Sequence, residues 1–278
     1  MEYITLKGVP KSNLHTHTNL CDGNDTPEEV VLAAIDGKME TLGFSGHSYV
    51  HFDLDCCMTR EQTVQYRNEI VRLKKVYGDR INILLGLEQD YYADDPAEGY
   101  DYLIGSVHYL PAHGSYFAVD LSREELLRAT DAYYGGNIYR LLQHYYETLA
   151  DVVDKTGCDI VGHFDLVSKF NAGGTLFDEA DPRYRTSAFE VLDYLLKKDV
   201  VFEINTGAIS RGYCTKPYPS VPFLRYIAEQ GGRVMLSSDA HDKKNLLYGF
   251  SEAVEYARAS GVKTLCVMTK DGWKGEAI

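Results

Sequence analysis

Apolar runs of strand length alternate along this chain with stretches of helical periodicity. Residues 41–46, 81–87, 101–107, 159–162, 200–205 and 233–238 read as short strands. Their apolar character is close to continuous, which is the pattern of strands buried on both faces. Between them, 60–76 places Val64, Ile70, Val71 and Leu73 at helical spacing, and 26–38, 122–133, 137–155, 184–198 and 219–230 read as further helices. Thr26-Pro27-Glu28-Glu29 has the form of a capping box with proline at the first helical position. Buried strands separated by helices imply parallel pairing, and about seven of them suit a closed βα barrel. Residues 262–268 are either one final edge strand or a segment that packs elsewhere. Segments 48–59 and 109–136 read as long loops over the barrel mouth.

In such a barrel the carboxyl ends of the strands carry the active site. Here those ends bear His47, Glu88, His108, His163 and Asp239. The stretch 13–23 (NLHTHTNLCDG) looks like one more strand running into a turn. Strand alternation sends His15 and His17 to one face as a ready pair of metal ligands, and Asp22, beside Gly23, can turn back toward them. Asp239 and His241 repeat the spacing on the last strand, which in a closed barrel lies next to the first. The donors are imidazole and carboxylate without thiolate, a set suited to Zn, Mn, Fe or Co. They are too many for one ion. Glu88 is the natural bridge, because a carboxylate has two oxygens and an imidazole one free lone pair. Several ions held close together favour hydrolysis by a bridging hydroxide.

Composition narrows the partners. With 28 basic and 41 acidic residues the net charge is −13, and no basic block interrupts it, which excludes long nucleic acid as a ligand. We expect neither a secretory signal nor a membrane span, since no apolar stretch approaches the roughly 18 residues a bilayer requires. A soluble, cytoplasmic protein is the expectation, folded as a single domain over 1–278 with its core at 12–260. The six cysteines are scattered without a CxxC pair, so neither a zinc ribbon nor a disulfide framework is indicated. They are expected to be reduced and mostly in the core.

Taken in order, His15-Thr16-His17 with Asp22, His47, Glu88, Ser106-Val107-His108, Gly162-His163-Phe164-Asp165, Glu203-Ile204-Asn205-Thr206 and Ser237-Ser238-Asp239-Ala240-His241 resemble the PHP (polymerase and histidinol phosphatase) superfamily. Within it, the set is most similar to the monofunctional histidinol-phosphate phosphatases. The resemblance implies a distorted (β/α)7 barrel, TIM-like, holding two to three divalent ions at the strand ends. It assigns His15, His17, Glu88 and Asp239 to one ion, Glu88, His108 and His163 to a second, and Asp22, His47 and His241 to a third. Asp22 departs from the pattern, since the family often has histidine there.

The implied reaction is in-line attack of a metal-bound hydroxide on the phosphorus of a small phosphate ester, L-histidinol phosphate foremost, without a phosphoenzyme. Arg211, Asp239 and His241 are the catalytic candidates, and Arg211, Lys169 and Asn205 the substrate contacts. A guanidinium offers paired bonds to phosphate oxygens. Asp53, Asp55 and Asp120 fall in the long loops and could meet the substrate amine. His51 and His113 lie there too, whereas His144 sits in a helical run as a structural residue. Two rivals remain: another PHP phosphoesterase acting on a nucleotide or other small ester, and an amidohydrolase-type barrel with a modified lysine bridging two metals.

Overall fold

The computed structural model describes residues 8–278. Strand β1 (Ser12–Asn13) leads through the His15 segment to helix α1 (Pro27–Asp36). The expected capping box is present: the Glu29 amide donates to Thr26 Oγ1 at 3.3 Å and the Thr26 amide to Glu29 Oε2 at 3.0 Å. Next come β2 (Thr41–Phe44), α2 (Arg60–Tyr77), β3 (Asn82–Asp90) and β4 (Tyr102–Ser106). The 109–136 insertion is more ordered than a loop. It holds a hairpin, β5 (Tyr109–Ala112) and β6 (Ser115–Ala118), ahead of α3 (Arg123–Tyr134).

The helix expected over 137–155 is two, α4 (Ile138–Ala150) and α5 (Val152–Thr156), because Asp151 takes ψ −1° and breaks the ladder. After β7 (Ile160–Val161), α6 (Pro182–Leu195) begins earlier than its apolar periodicity suggests. Asp181 caps it by accepting from the Arg183 amide at 2.8 Å, with proline at the first position. Strand β8 (Val201–Asn205), the single turn α7 (Gly207–Ser210), α8 (Val221–Glu229), β9 (Arg233–Ser237) and α9 (Phe250–Ala259) follow. The chain then forms β10 (Thr264–Thr269) and β11 (Gly272–Ala277).

Seven strands pair in parallel in the order β1-β2-β3-β4-β7-β8-β9. A parallel bridge between Thr16 and Ala240 joins the two ends, so the sheet curls into a distorted TIM-like barrel. Residues 262–268 do not extend that sheet: β10 pairs antiparallel with β11. The hairpin sits at the starts of the strands, sharing a surface with Ser12, Thr41 and Asn82. There Cys266, Met268 and Trp273 pack on the interior cluster of Leu14, Tyr102, Ile104, Ile160, Val201 and Met235.

Strand alternation sorts the side chains. Phe202, Ile204, Val234 and Leu236 pack outward against helices, while Val201, Glu203, Met235 and Ser237 turn inward. Gly43 and Gly86 leave the room that the Tyr102 ring fills; a Cβ on Gly86 would lie 2.2 Å from that ring. Tyr102 donates to the Phe44 carbonyl at 2.9 Å and also contacts the Leu14 carbonyl. Much of the tyrosine content serves the core in this way: Tyr66 donates to the Gly86 carbonyl at 2.8 Å and Tyr145 to that of Phe164 at 3.2 Å.

Candidate metal centre

At the carboxyl ends of the strands the interior changes from apolar to ionic. Glu88 stands near the carboxyl end of β3, is 1% exposed, and meets five imidazoles. Its Oε1 lies 3.0 Å from His163 Nε2 and 3.3 Å from His108 Nε2, and accepts from Ser106 Oγ at 2.7 Å. Its Oε2 lies 3.1 Å from His47 Nδ1, 3.2 Å from His15 Nε2 and 3.5 Å from His17 Nε2. The seam between the first and last strands brings Asp239 Oδ1 to 3.2 Å from His17 Nε2, as the paired spacings anticipate. Asp22 Oδ2 closes the outer corner, 3.0 Å from His241 Nε2 and 3.5 Å from His47 Nε2. The structure therefore brings together all nine residues expected to hold metal.

The chemistry of this cluster fits divalent ions. His15 Nε2, His17 Nε2, Glu88 Oε2 and Asp22 Oδ1 are buried without a hydrogen bond, although atoms of opposite sign stand about them. Buried polar atoms are normally paired, so lone pairs converging without alignment indicate a shared cation. Two of the outward nitrogens are, by contrast, firmly held. His15 Nδ1 lies 2.9 Å from Glu203 Oε2, and His108 Nδ1 lies 3.2 Å from Asp90 Oδ2. A carboxylate on Nδ1 keeps the proton there and presents the Nε2 lone pair to the centre.

Electrostatics agree. Burial opposes charge on His15, but Glu203, Glu88 and Asp239 outweigh it and raise its pKa to about 10. His17, His47 and His108 are likewise raised, in each case against burial. His241 is lowered by burial and by the charge of His17. Burial alone would push Glu88 up, yet His15, His108 and His47 hold it well below the usual carboxylate range. Without ions, protons occupy the site in their place.

Asp239 has φ 46°, a left-handed conformation rare for non-glycine residues and common at functional sites. Gly207 makes room for it, since a Cβ there would fall 2.7 Å from the Asp239 Cβ. Arg211, just beyond α7, donates from Nη1 to the Asp239 carbonyl and from Nη2 to its Oδ2, both at 3.0 Å. Lys169 is no surface residue: at 8% exposure its Nζ donates to the Asp120 carboxylate at 2.9 Å. Arg211 and Lys169 line one cavity of about 310 Å³ over the cluster. Asn205, expected to touch substrate, is 1% exposed, and its amide instead braces Glu203 Oε1 at 2.9 Å and the Gly207 amide at 2.8 Å.

Of the loop acids, Asp53 and Asp120 reach this cavity, while Asp55 does not line it and is exposed. His51 pairs with Asp94 at 2.9 Å, His113 packs on Tyr133, and His144 lies 2.7 Å from the Tyr134 hydroxyl. The cysteines are all free, but only Cys57 and Cys158 are buried. Cys56 instead lines the cavity, with its thiol 3.6 Å from Asp22 Oδ2. Glu203 and Asp90 escape a reading of the chain alone. The one available signal for Glu203 is an acid set within the apolar run 200–205. The amidohydrolase alternative fails on its bridge, because Glu88 occupies the central position and Lys169 is committed to Asp120.

Comparison with known proteins agrees with this architecture. A protein from Deinococcus radiodurans named "Probable histidinol-phosphatase" is 31% identical over 265 residues, spanning 90% of this chain and 94% of that protein. The crystal structure of histidinol phosphate phosphatase from Lactococcus lactis, in complex with zinc, L-histidinol and phosphate, superposes with a TM-score of 0.64 at 21% identity, covering 95% of this chain and 98% of that one. A Listeria monocytogenes structure titled "putative histidinol phosphatase" superposes with a TM-score of 0.74 at 22% identity, covering 87% and 99%. The family model for the PHP domain matches residues 13–207, a span that contains seven of the nine clustered residues. This chain belongs to the PHP domain family.

Proposed function

We propose that the chain is a metal-dependent phosphoric monoester hydrolase acting on L-histidinol phosphate. The observation that carries this reading is the buried Glu88 carboxylate, ringed by five imidazoles at the floor of a cavity that also presents Arg211 and Lys169. Relatives named histidinol-phosphatase, covered over nine-tenths of their length, supply the substrate. His15, His17, Glu88 and Asp239 would hold one ion, Glu88, His108 and His163 a second, and Asp22, His47 and His241 a third. Divalent ions there supply Lewis acidity toward phosphoryl oxygens and lower the pKa of water, so that a nucleophile exists near neutral pH.

The chain's own groups do the rest. Arg211, anchored on Asp239, directs its guanidinium at the phosphoryl oxygens and stabilises charge as the phosphorus–oxygen ester bond breaks. Lys169 adds a second cation, held in place by Asp120. A water oxygen becomes bonded to phosphorus as the ester oxygen departs, and the proton that this water gives up is relayed along the Asp239 and His241 side of the cavity to the departing alkoxide. Orthophosphate and L-histidinol leave, with no phosphoenzyme formed. Asn205 acts at one remove, through Glu203.

Net charge of −13 keeps long nucleic acid from such a site, leaving small esters as partners. No helix among the described residues is long and apolar enough to cross a membrane. Six free cysteines suit a reducing compartment, and we place the protein in the cytoplasm. A panel of monoesters tests the reading. Protein loaded with Zn or Mn should hydrolyse L-histidinol phosphate far faster than sugar phosphates or nucleotides. Equal rates on all three would remove the substrate and leave only the phosphatase class.

A further inference from the structure

The carboxylates lining the catalytic cavity are not alike. Among the described residues, four of them face a basic side chain or an imidazole at ion-pair distance: Asp22 with His241 at 3.0 Å, Glu88 with His163 at 3.0 Å, Asp120 with Lys169 at 2.9 Å and Asp239 with Arg211 at 3.0 Å. Asp53, the fifth, has no such partner. Its Oδ2 accepts from the Tyr109 hydroxyl at 2.7 Å and its Oδ1 from the Cys56 amide at 3.3 Å. Both donors are neutral. They fix the direction of the carboxylate without cancelling its charge, which is how a receptor for a cationic ligand is built. Tyr109 is itself buried and seated by its edge against Phe52, with ring centroids 4.9 Å apart.

The rest of the lining says where a ligand's charges belong. Arg211 and Lys169 give the same cavity two cations suited to an anion, and at about 310 Å³ the space is of the size that takes one small molecule. A ligand that carries both a dianionic ester and an ammonium matches a lining that offers both signs of charge. We propose that Asp53 is the receptor for the substrate's ammonium group, so that the site selects phosphate monoesters of amino alcohols over esters of equal size lacking the amine. This role rests on the phosphatase reading above and adds the feature of the alcohol that is recognised.

The test compares L-histidinol phosphate with its des-amino analogue, the phosphate ester of 3-(imidazol-4-yl)propanol, on the metal-loaded wild type and Asp53→Asn. A hydrogen bond to a charged group, once lost, corresponds to about a tenfold to hundredfold change. The wild type should prefer the amine-bearing ester by that factor. Asp53→Asn should lose the preference, chiefly through KM, and bind the product L-histidinol correspondingly more weakly as an inhibitor. Asp53→Ala and Asp53→Ser read the same ratio should the asparagine variant fold poorly. Metal content measured on each variant separates loss of ions from loss of recognition. A wild type that hydrolyses both imidazole esters equally well, or an Asp53→Asn protein that keeps the full preference, overturns the role of Asp53 and leaves the phosphatase standing. A wild type that cleaves p-nitrophenyl phosphate but neither imidazole ester overturns the substrate reading and this inference together.

Discussion

Glu203→Gln is the most informative single change around the cluster, because it removes one charge and turns one acceptor into a donor with almost no change in volume. In the native site Glu203 Oε1 accepts from the His163 amide at 2.6 Å and from Asn205 Nδ2 at 2.9 Å. Its Oε2 takes His15 Nδ1 at 2.9 Å and Ser237 Oγ at 2.7 Å. Glutamine can keep the first pair with its carbonyl oxygen. Its NH2 then faces His15 Nδ1, and two donors cannot share one hydrogen bond. The imidazole resolves the conflict by moving its proton to Nε2, the nitrogen that must offer a lone pair toward Glu88 and Asp239. Loss of such an orienting partner costs about tenfold to hundredfold in metal affinity, or about 1.4 to 2.7 kcal/mol. Competition against a chromogenic chelator for Zn or Mn measures this directly, with thermal unfolding of metal-free protein as the check on folding. An affinity within about twofold of wild type would refute the tautomer argument, since that residue is what separates a lone pair from a proton at the centre.

Other consequences follow from the same geometry. Adding ions to metal-free protein near neutral pH should release protons, because the carboxylates around His15 raise its pKa to about 10 against burial and do the same in direction for His17, His47 and His108. Calorimetry in buffers of differing ionisation enthalpy counts them, and a count of zero would contradict the assignment. The sign for stability is fixed by the raised value. The His15 contribution to the metal-free fold is complete below its ordinary 6.5 and is lost as pH rises through about 10, which thermal unfolding across that window should record as a falling midpoint. Asp22→Ala should lower the number of bound ions by one, with Asp22→His restoring it; unchanged stoichiometry by elemental analysis would deny the outer corner. Gly86→Ala should destabilise the fold by about 1 to 3 kcal/mol, because the new Cβ would lie 2.2 Å from the Tyr102 ring, and an unaltered unfolding midpoint would contradict that packing.

What the chain reveals without coordinates is uneven, for physical reasons. The barrel and its clustered donors are legible because each donor ends a short apolar strand, and strand ends converge in a parallel βα barrel whatever the details of packing. The meeting of His15 and His17 with Asp239 and His241 follows from closure alone, and the Thr16–Ala240 bridge provides it. The residues that tune the donors are not legible in that way. Glu203 and Asp90 act through hydrogen bonds to imidazoles 188 and 18 positions away, and neither spacing is a local pattern. Asn205 reads as a substrate contact at a strand end, but alternation turns it into the brace between Glu203 and Gly207. That Lys169 is anchored on Asp120 is not legible in the chain, because the two lie 49 positions apart in different loops. The β10–β11 hairpin is ambiguous for a related reason: Cys266, Met268 and Trp273 find their apolar neighbours on β4, β7, β8 and β9 rather than in their own stretch of chain.

The central claim is that the imidazoles gathered on Glu88 form a metal centre that hydrolyses a phosphate monoester. Metal content and L-histidinol phosphate hydrolysis, measured side by side on wild type and Glu88→Ala, test it most directly. The wild type should carry two to three divalent ions per chain and turn over the ester, while Glu88→Ala should lose at least one ion and the activity together. A Glu88→Ala protein that keeps both its ions and its activity would contradict the claim.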